Sequence, residues 1–151
     1  DRYMGYTSAL AENNIEVNLD YVCVDLDDKY NMLNETEAAR YDSLRAYIAE
    51  IIGQMRAEGV TCILCQNDWV AVELYSVCEE LGISVPDDMC IMGFDNMDEL
   101  NNMHGGDKII TVEQDFYEIG VRAGETILKE IRGEEKGIRD VVPVKLITRD
   151  Y

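Results

Sequence analysis

The stretch TCILCQNDWVAVELYSVCEELGISVPDDMCIMGFDN, residues 61–96, contains two short apolar runs that each lead into a cluster of polar side chains. The two clusters are Gln66-Asn67-Asp68 and Asp95-Asn96. Between them the apolar residues have the spacing of an amphipathic helix, with Gly82 after its end. A strand, a helix and a second strand in this order are typical of a parallel sheet. Both clusters then lie at the carboxyl ends of parallel strands, where ligands bind in such sheets.

The same alternation of helix and strand continues on both sides of this unit. Helices are predicted over the apolar patterns at 3–10, 44–55, 68–81 and 116–131, and strands over 20–25, 61–65, 89–94, 108–112 and 141–147. The strands are continuously apolar, which is typical of a sheet covered on both faces. The sequence therefore predicts an α/β fold with a mainly parallel sheet sandwiched by helices.

Length and composition indicate one soluble domain, or one lobe and part of another. The chain has 151 residues, of which 47% are hydrophobic, and it is long enough to bury a core. Its apolar runs are much shorter than the ~20 residues of a membrane helix, and residues 1–15 lack the order of a signal peptide. No membrane partner is expected. Because the chain opens on Asp1 in a helical pattern, we interpret it as a fragment whose upstream part is missing.

The charge of the chain argues against direct contact with nucleic acid. Thirteen Lys and Arg against 31 Asp and Glu give a formal net charge of -18. Such a chain repels a phosphate backbone, whose binding depends on basic side chains that release counterions.

The five cysteines, at positions 23, 62, 65, 78 and 90, all lie in apolar patterns. There Cys behaves as a small buried hydrophobic residue, and reduced thiols are typical of a cytoplasmic protein. Cys62 and Cys65 match the C-x-x-C motif, but redox pairs of that kind begin a helix, whereas these two lie within a predicted strand. We expect no redox or metal function there.

Groups for catalysis and for cofactors are largely missing from the sequence. His104 is the single histidine, so a zinc site or a Ser-His-Asp triad has too few residues. DLDDKYN, residues 25–31, has Lys29 and Tyr30 where a calcium loop needs an oxygen ligand and Gly. The glycines of HGGD and IRGEEKG lack the spacing of a phosphate-binding loop. The sequence predicts no enzyme, metal or cofactor.

The polar strand ends suit binding without reaction. Asn67 can both donate and accept hydrogen bonds, and Asp95 can accept two from neighbouring hydroxyls. These are the requirements of a sugar. The alternative is that Asn67 and Asp68 only cap the following helix while Asp95-Asn96 forms a turn. Spacing alone leaves both interpretations open.

Several stretches resemble the effector-binding core of the LacI/GalR family of sugar-responsive repressors, which has the type I periplasmic-binding fold. The matching stretches, in the family's order, are DRYMGY (1–6), ILCQNDWVAVELY (63–75), ELGISVPDDMCIMGFDN (80–96), ITVEQDFYEIGVRAGETIL (110–128) and VPVKLITRD (142–150). The resemblance implies that Arg2, Asn67, Asp95 and Gln114 contact effector hydroxyls. It also implies an aromatic ring stacked on the sugar, for which Tyr30 is the candidate.

The resemblance further implies how the chain is organised. Residues 1–112 are expected to form the C-terminal lobe, 113–133 a crossover and a helix of the N-terminal lobe, and 134–151 a return segment with the final strand. The DNA-binding domain is expected upstream and is absent from this chain, so DNA is reached only through that missing part. The helix at 68–81 is expected to contribute to a homodimer interface.

Two alternatives remain open at this point. The segment LNETEAARYDSLRAYIAEIIGQM, residues 33–55, resembles that of arabinose-type repressors, which join a winged-helix DNA reader of the GntR family to the same core. The sequence does not choose between that reader and a helix-turn-helix. An extracytoplasmic sugar-binding transport receptor of the same fold is the main functional alternative, and five thiols argue against it.

Overall fold

The computed structural model describes residues 2–23, 37–134, 136–137 and 139–149, with the side chains of 37–40 left aside. The helices in this part are α1 (Arg2–Glu12), α2 (Glu37–Ala57), α3 (Asp68–Glu80) and α4 (Phe116–Arg132). The strands are β1 (Cys62–Leu64), β2 (Cys90–Met92), β3 (Thr111–Glu113) and β4 (Lys145–Ile147). None of the described helices is long and apolar enough to cross a membrane.

The strands are joined in the order β1, β2, β3, β4. β1 and β2 pair in parallel with Cys62 opposite Cys90, and single parallel bridges from Met92 to Ile110 and from Asp95 to Glu113 connect β2 to β3. β4 pairs with β3 in the antiparallel direction. The predicted α/β fold with a mainly parallel sheet is confirmed, and the antiparallel strand is β4, which forms no described pair beyond β3.

One predicted strand differs from the structure. Over 20–25 a strand was expected, but Leu19–Tyr21 is a 3-10 turn, and no strand forms at 22 and 23. The cause is local, because the side chain of Asn18 accepts a hydrogen bond from the backbone N–H of Asp20 at 3.0 Å and closes the turn. Residues 24 and 25 lie outside the described part, as does Tyr30.

The core lies between the sheet and the helices α2 and α3. Its buried residues include Ile48 and Ile52 of α2, Ala71, Leu74, Val77 and Cys78 of α3, and Met89, Ile91, Leu100 and Ile109. Both helices end just before the glycines, as the sequence predicted. Gly59 and Gly82 have φ angles of 85° and 68°, the left-handed conformation that commonly ends a helix. This packing holds the carboxyl ends of β1, β2 and β3 side by side.

The cysteines divide into two groups. Cys65 and Cys78 are buried and Cys90 is half-buried, whereas Cys23 and Cys62 are exposed. The expectation that all five are buried is therefore wrong for the last two. For Cys62 the reason is its alternation with Ile63, which packs against the core. Burial raises the pKa of the Cys65 thiol to about 12, so this sulfur stays protonated at neutral pH.

Candidate functional site

Three of the four predicted site residues meet at Asp95. Its Oδ1 accepts a hydrogen bond from Nη2 of Arg2 at 3.1 Å and another from Nε2 of Gln114 at 2.6 Å. Arg2 begins α1, Asp95 follows β2 and Gln114 follows β3. The fold thus joins three distant segments at the carboxyl edge of the sheet.

Arg2 is held from three sides. Besides the contact with Asp95, its Nη1 donates to the backbone carbonyl of Gln66 after β1. The guanidinium carbon lies 4.0 Å from the centre of the Phe94 ring, which is a cation-π distance. These contacts place the first residue of α1 across the ends of β1 and β2, and the side chain keeps 43% of its surface exposed.

The backbone at Asp95 has an uncommon conformation. Asp95 and Asn96 have φ angles of 107° and 48°, a region that few residues other than Gly adopt, although Asp and Asn tolerate it better than most. The N–H of Asp95 donates to the carbonyl of Val112 in β3 at 2.9 Å. The pair therefore forms a turn, as one interpretation expected, and the same turn directs a carboxylate at Arg2 and Gln114.

Asn67 has a different position from the other three. Its Oδ1 accepts from the backbone N–H of Val70 at 3.1 Å and caps α3. Among the described residues it makes no hydrogen bond to Arg2, Asp95 or Gln114. The capping role is thus observed at Asn67, and its Nδ2 amide donates to no described residue.

Asp68 is the residue whose role the sequence did not show. It is fully buried, and its carboxylate accepts from Oγ1 of Thr111 at 2.6 Å and from the N–H of Met97 at 3.1 Å. Thr111 is also fully buried. A signal was present, since Asp68 follows an apolar strand and Thr111 interrupts the apolar run KIITV. The contact between them nevertheless requires the folded sheet.

The charged groups of this cluster balance each other. Arg2 carries one positive charge and Asp95 one negative charge, and they form a salt bridge with side-chain exposures of 43% and 21%. No hydrogen bond joins Oδ2 of Asp95 to a described residue, so this oxygen can accept from a ligand. Arg2 and Asp95 together offer donors and acceptors without a net charge, and the carboxylate of Asp68 at this turn is buried beneath it.

His104, the single histidine of the chain, lies apart from the cluster around Asp95. The described part of the chain contains no group of three side chains suited to a metal ion. His104 contacts Glu79 of α3 at 2.8 Å and packs its ring edge-on against Tyr75. It has no described hydrogen bond to the cluster around Asp95.

The cluster lies on an open edge of the sheet. A cavity of about 130 Å³ occurs between α2, β1 and residues 21–23, but neither Arg2, Asp95 nor Gln114 lines it. Its walls are mostly apolar, with Ile48, Ile52, Met55 and Leu74 among them. Among the described residues, the cavity adjoins the polar cluster only at Gln66, whose carbonyl accepts from Arg2.

Comparison with known families gives a match over nearly the whole chain. A family model described as a periplasmic binding protein-like domain matches residues 1–150. This match shows that the chain belongs to the periplasmic binding protein-like family, and it agrees with the α/β fold.

Two curated relatives are transcriptional repressors. The chain is 28% identical to the HTH-type transcriptional repressor PurR of Vibrio campbellii over 135 residues, covering 89% of this chain and 36% of that protein. It is 28% identical to the arabinose metabolism transcriptional repressor of Geobacillus stearothermophilus over 131 residues, covering 87% of this chain and 33% of that protein. The chain therefore spans about a third of the length of these relatives.

A solved structure is similar in both sequence and shape. It is a LacI family transcriptional regulator from Enterococcus faecium with bound ribose, 28% identical, with a TM-score of 0.56. The match covers 70% of this chain and 39% of that one.

Proposed function

Because this chain belongs to the periplasmic binding protein-like domain family, we propose that it is the effector-binding domain of a bacterial transcriptional regulator. Its effector is a neutral, hydroxyl-rich small molecule such as a sugar. The observation that carries this proposal is the meeting of Arg2 and Gln114 on one oxygen of Asp95 at the carboxyl edge of the sheet. The relatives support it, since both curated proteins are named as repressors.

The charge balance of the cluster favours a neutral ligand over a phosphorylated one. A free guanidinium would attract an anion, but the salt bridge to Asp95 compensates the charge of Arg2. Oδ2 of Asp95 offers an acceptor for a hydroxyl, and Arg2 retains further N–H groups that can donate. A sugar, which presents adjacent hydroxyls that both donate and accept, matches this set.

The proposed organisation divides the chain between two lobes. Residues 1–112 form the C-terminal lobe, 113–133 the crossover with α4 in the N-terminal lobe, and 134–151 the return segment with β4. The exposure of α4 supports this division, because Phe116, Ile127 and Ile131 expose 58%, 58% and 76% of their surface. Exposed apolar residues grouped on one helix are typical of a surface that another part of the protein covers.

In this proposal the chain binds and does not catalyse. The ligand lies between the lobes and favours one lobe arrangement over another, with a coupling of ~1–3 kcal/mol as is typical between sites. DNA is contacted by a further domain of a cytoplasmic homodimer, with α3 in the dimer interface. Asn67 contributes its Nδ2 amide to the ligand while its oxygen caps α3, and Tyr30 remains the candidate for stacking.

Two further questions concern the type of DNA-binding domain and the alternative function. One relative is named as an HTH-type repressor and the other as an arabinose metabolism repressor, and the first name favours a helix-turn-helix reader, whereas neither name mentions a winged helix. An extracytoplasmic receptor for sugar transport is the weaker alternative, since these relatives are regulators.

The experiment that tests the proposal is Asp95→Ala in the full-length protein that contains this chain. Removal of the carboxylate takes away the acceptor that Arg2 and Gln114 share, so we expect sugar affinity to fall at least ~100-fold, as for loss of charged hydrogen bonds. Calorimetric titration with D-ribose and L-arabinose measures it.

The matched control is Asp98→Ala, which removes an exposed acid three residues further along the same loop. Its affinity is expected to equal that of the wild type. Undiminished sugar binding by Asp95→Ala would refute the assignment of the site, and a wild-type protein that binds no neutral sugar would refute the proposed ligand class.

A further inference from the structure

A buried polar pair lies directly beneath the turn that carries Asp95. Asp68 and Thr111 have no exposed surface, although neither is apolar. A buried carboxylate is costly unless donors satisfy it, and here Thr111 Oγ1 and the N–H of Met97 donate to its two oxygens at 2.6 and 3.1 Å. Burial of the Asp68 carboxylate therefore requires that Thr111 and the backbone of Met97 stay in place as hydrogen-bond donors.

The pair holds the backbone on both sides of Asp95. On the near side, the N–H of Asp68 donates to the carbonyl of Phe94 at 3.0 Å. On the far side, the N–H of Asn96 donates to Thr111 Oγ1 at 3.3 Å, and Met97 donates to Asp68. Every residue from 94 to 97 except Asp95 is thus bonded to the pair.

The turn needs such support because of its conformation. Asp95 and Asn96 both have positive φ angles, of 107° and 48°. For residues with a side chain this conformation is unfavourable, and it persists only where surrounding contacts determine it. The contacts that do so here come from Asp68, Thr111 and the carbonyl of Val112.

Gly93 shows how closely Asp68 approaches the end of β2. A Cβ atom built at position 93 would lie 2.2 Å from Oδ1 and 3.2 Å from Cα of Asp68. No side chain fits in that space, so the glycine is required by this approach. The carboxylate of Asp68 is packed against the strand that leads into the turn.

From these contacts we infer that Asp68 and Thr111 are positioning residues of the ligand site. They touch no ligand themselves, but they fix the turn so that Oδ1 of Asp95 meets both Arg2 and Gln114. The inference rests on the proposed function in treating Asp95 as a ligand-binding residue.

The experiment substitutes Thr111→Val in the full-length protein. Valine keeps the shape of threonine and lacks its hydroxyl, so Asp68 loses a donor and Asn96 loses an acceptor. In a crystal structure of the unliganded variant, we expect Nε2 of Gln114 to lie beyond ~3.5 Å from Oδ1 of Asp95, outside hydrogen-bond range. Calorimetry with D-ribose and L-arabinose should show at least a tenfold loss of affinity.

Two further variants separate positioning from general stability. Thr111→Ser restores the hydroxyl and should restore both the contact and the affinity. Ile52→Val removes one methylene from the buried core of α2, and should lower the melting temperature while leaving the contact and the affinity unchanged. A Thr111→Val protein that keeps both contacts of Asp95 and its wild-type affinity would overturn the inference.

A double substitution covers the case in which the Thr111→Val protein does not fold. The double substitution Asp68→Ala/Thr111→Val leaves no buried carboxylate without a donor, so it is better tolerated than removal of one partner. The same displacement of Asp95 is expected, and an unmoved turn in this variant would again contradict the inference. If the wild type binds no neutral sugar, the proposed ligand class fails, while the crystal structures still decide whether the pair positions Asp95.

Discussion

At Asp95 a weak interaction has a large geometric effect. The salt bridge with Arg2 is partly exposed, and pairs of this kind contribute only ~0–1 kcal/mol to stability. The salt bridge matters because it positions side chains, since Oδ1 of Asp95 accepts hydrogen bonds from both Arg2 and Gln114. Removal of the carboxylate should therefore lower sugar affinity, while the effect of Asp95→Ala on folding comes mainly from the positive φ angle, which alanine tolerates less well than aspartate.

Asn67 allows a test of two roles in one side chain. Asn67→Ala removes the cap of α3 and should lower the free energy of unfolding by about 1 kcal/mol. Asn67→Asp keeps an oxygen that accepts from the N–H of Val70, so its stability should remain close to that of the wild type. Urea unfolding of the full-length protein measures both.

The ligand role of Asn67 depends on its nitrogen, which aspartate lacks. We expect Asn67→Asp to weaken sugar binding although it preserves the cap. If Asn67→Asp binds D-ribose and L-arabinose as the wild type does, Asn67 is a cap alone, and the site consists of the other three residues.

At the scale of the elements, α2 and α3 form a rigid support for the site. Besides their shared core, Arg45 of α2 donates to Glu73 and Glu80 of α3, both at 2.8 Å, and to the hydroxyl of Ser76 at 3.1 Å. Arg45 is only 16% exposed, so this network is partly shielded from solvent. The N-terminus of α3, with Asn67 and Asp68, is thereby held in place.

Helix α4 differs from α3 because its apolar residues are not covered by the described part of the chain. If the second lobe of the proposed full-length protein covers them, Ile127→Lys in that protein loses the burial of an aliphatic side chain. We expect the free energy of unfolding to fall by about 2 kcal/mol. Denaturant unfolding of the full-length protein measures this loss.

Glu125→Lys is the matched control, since it places the same residue two positions away on the same exposed helix. A surface substitution changes stability by no more than ~0.5 kcal/mol. Equal effects of the two substitutions would mean that α4 stays exposed in the whole protein, which would contradict its placement in a second lobe.

At the scale of the whole molecule, the site is open, and in the proposed full-length protein the second lobe supplies the other half of the ligand cleft. A ligand that binds only the folded protein stabilises it, by about 2.7 kcal/mol at a concentration 100 times its dissociation constant. We expect a sugar that binds to raise the melting temperature of the wild type. Asp95→Ala should show no such rise, and Asp98→Ala should behave as the wild type does.

The fold was largely predictable because its signals are local. Apolar spacing marked all four described helices, and Gly59, Gly82 and Gly133 were correctly placed after three of them. The expected strand at 20–25 is wrong where the structure describes it, because the side chain of Asn18 forms a competing turn. Periodicity does not register a single side-chain hydrogen bond of this kind.

The candidate site was predictable in part. Asn67 and Asp95 were indicated by their position after apolar strands, whereas Arg2 and Gln114 came from the family resemblance. The buried contact between Asp68 and Thr111 was not foreseen, since these residues are 43 positions apart and meet only when β1 and β3 are brought together.

By itself, the sequence determined the helices, most strands, the α/β class and the polar residues at the strand ends. These properties depend on apolar periodicity, on glycine at helix ends and on the chemistry of single side chains. Only the tertiary structure decided that Arg2, 93 positions from Asp95, and Gln114, 19 positions away, share one carboxylate oxygen. Such contacts depend on how the sheet orders its strands, and no local pattern records that order.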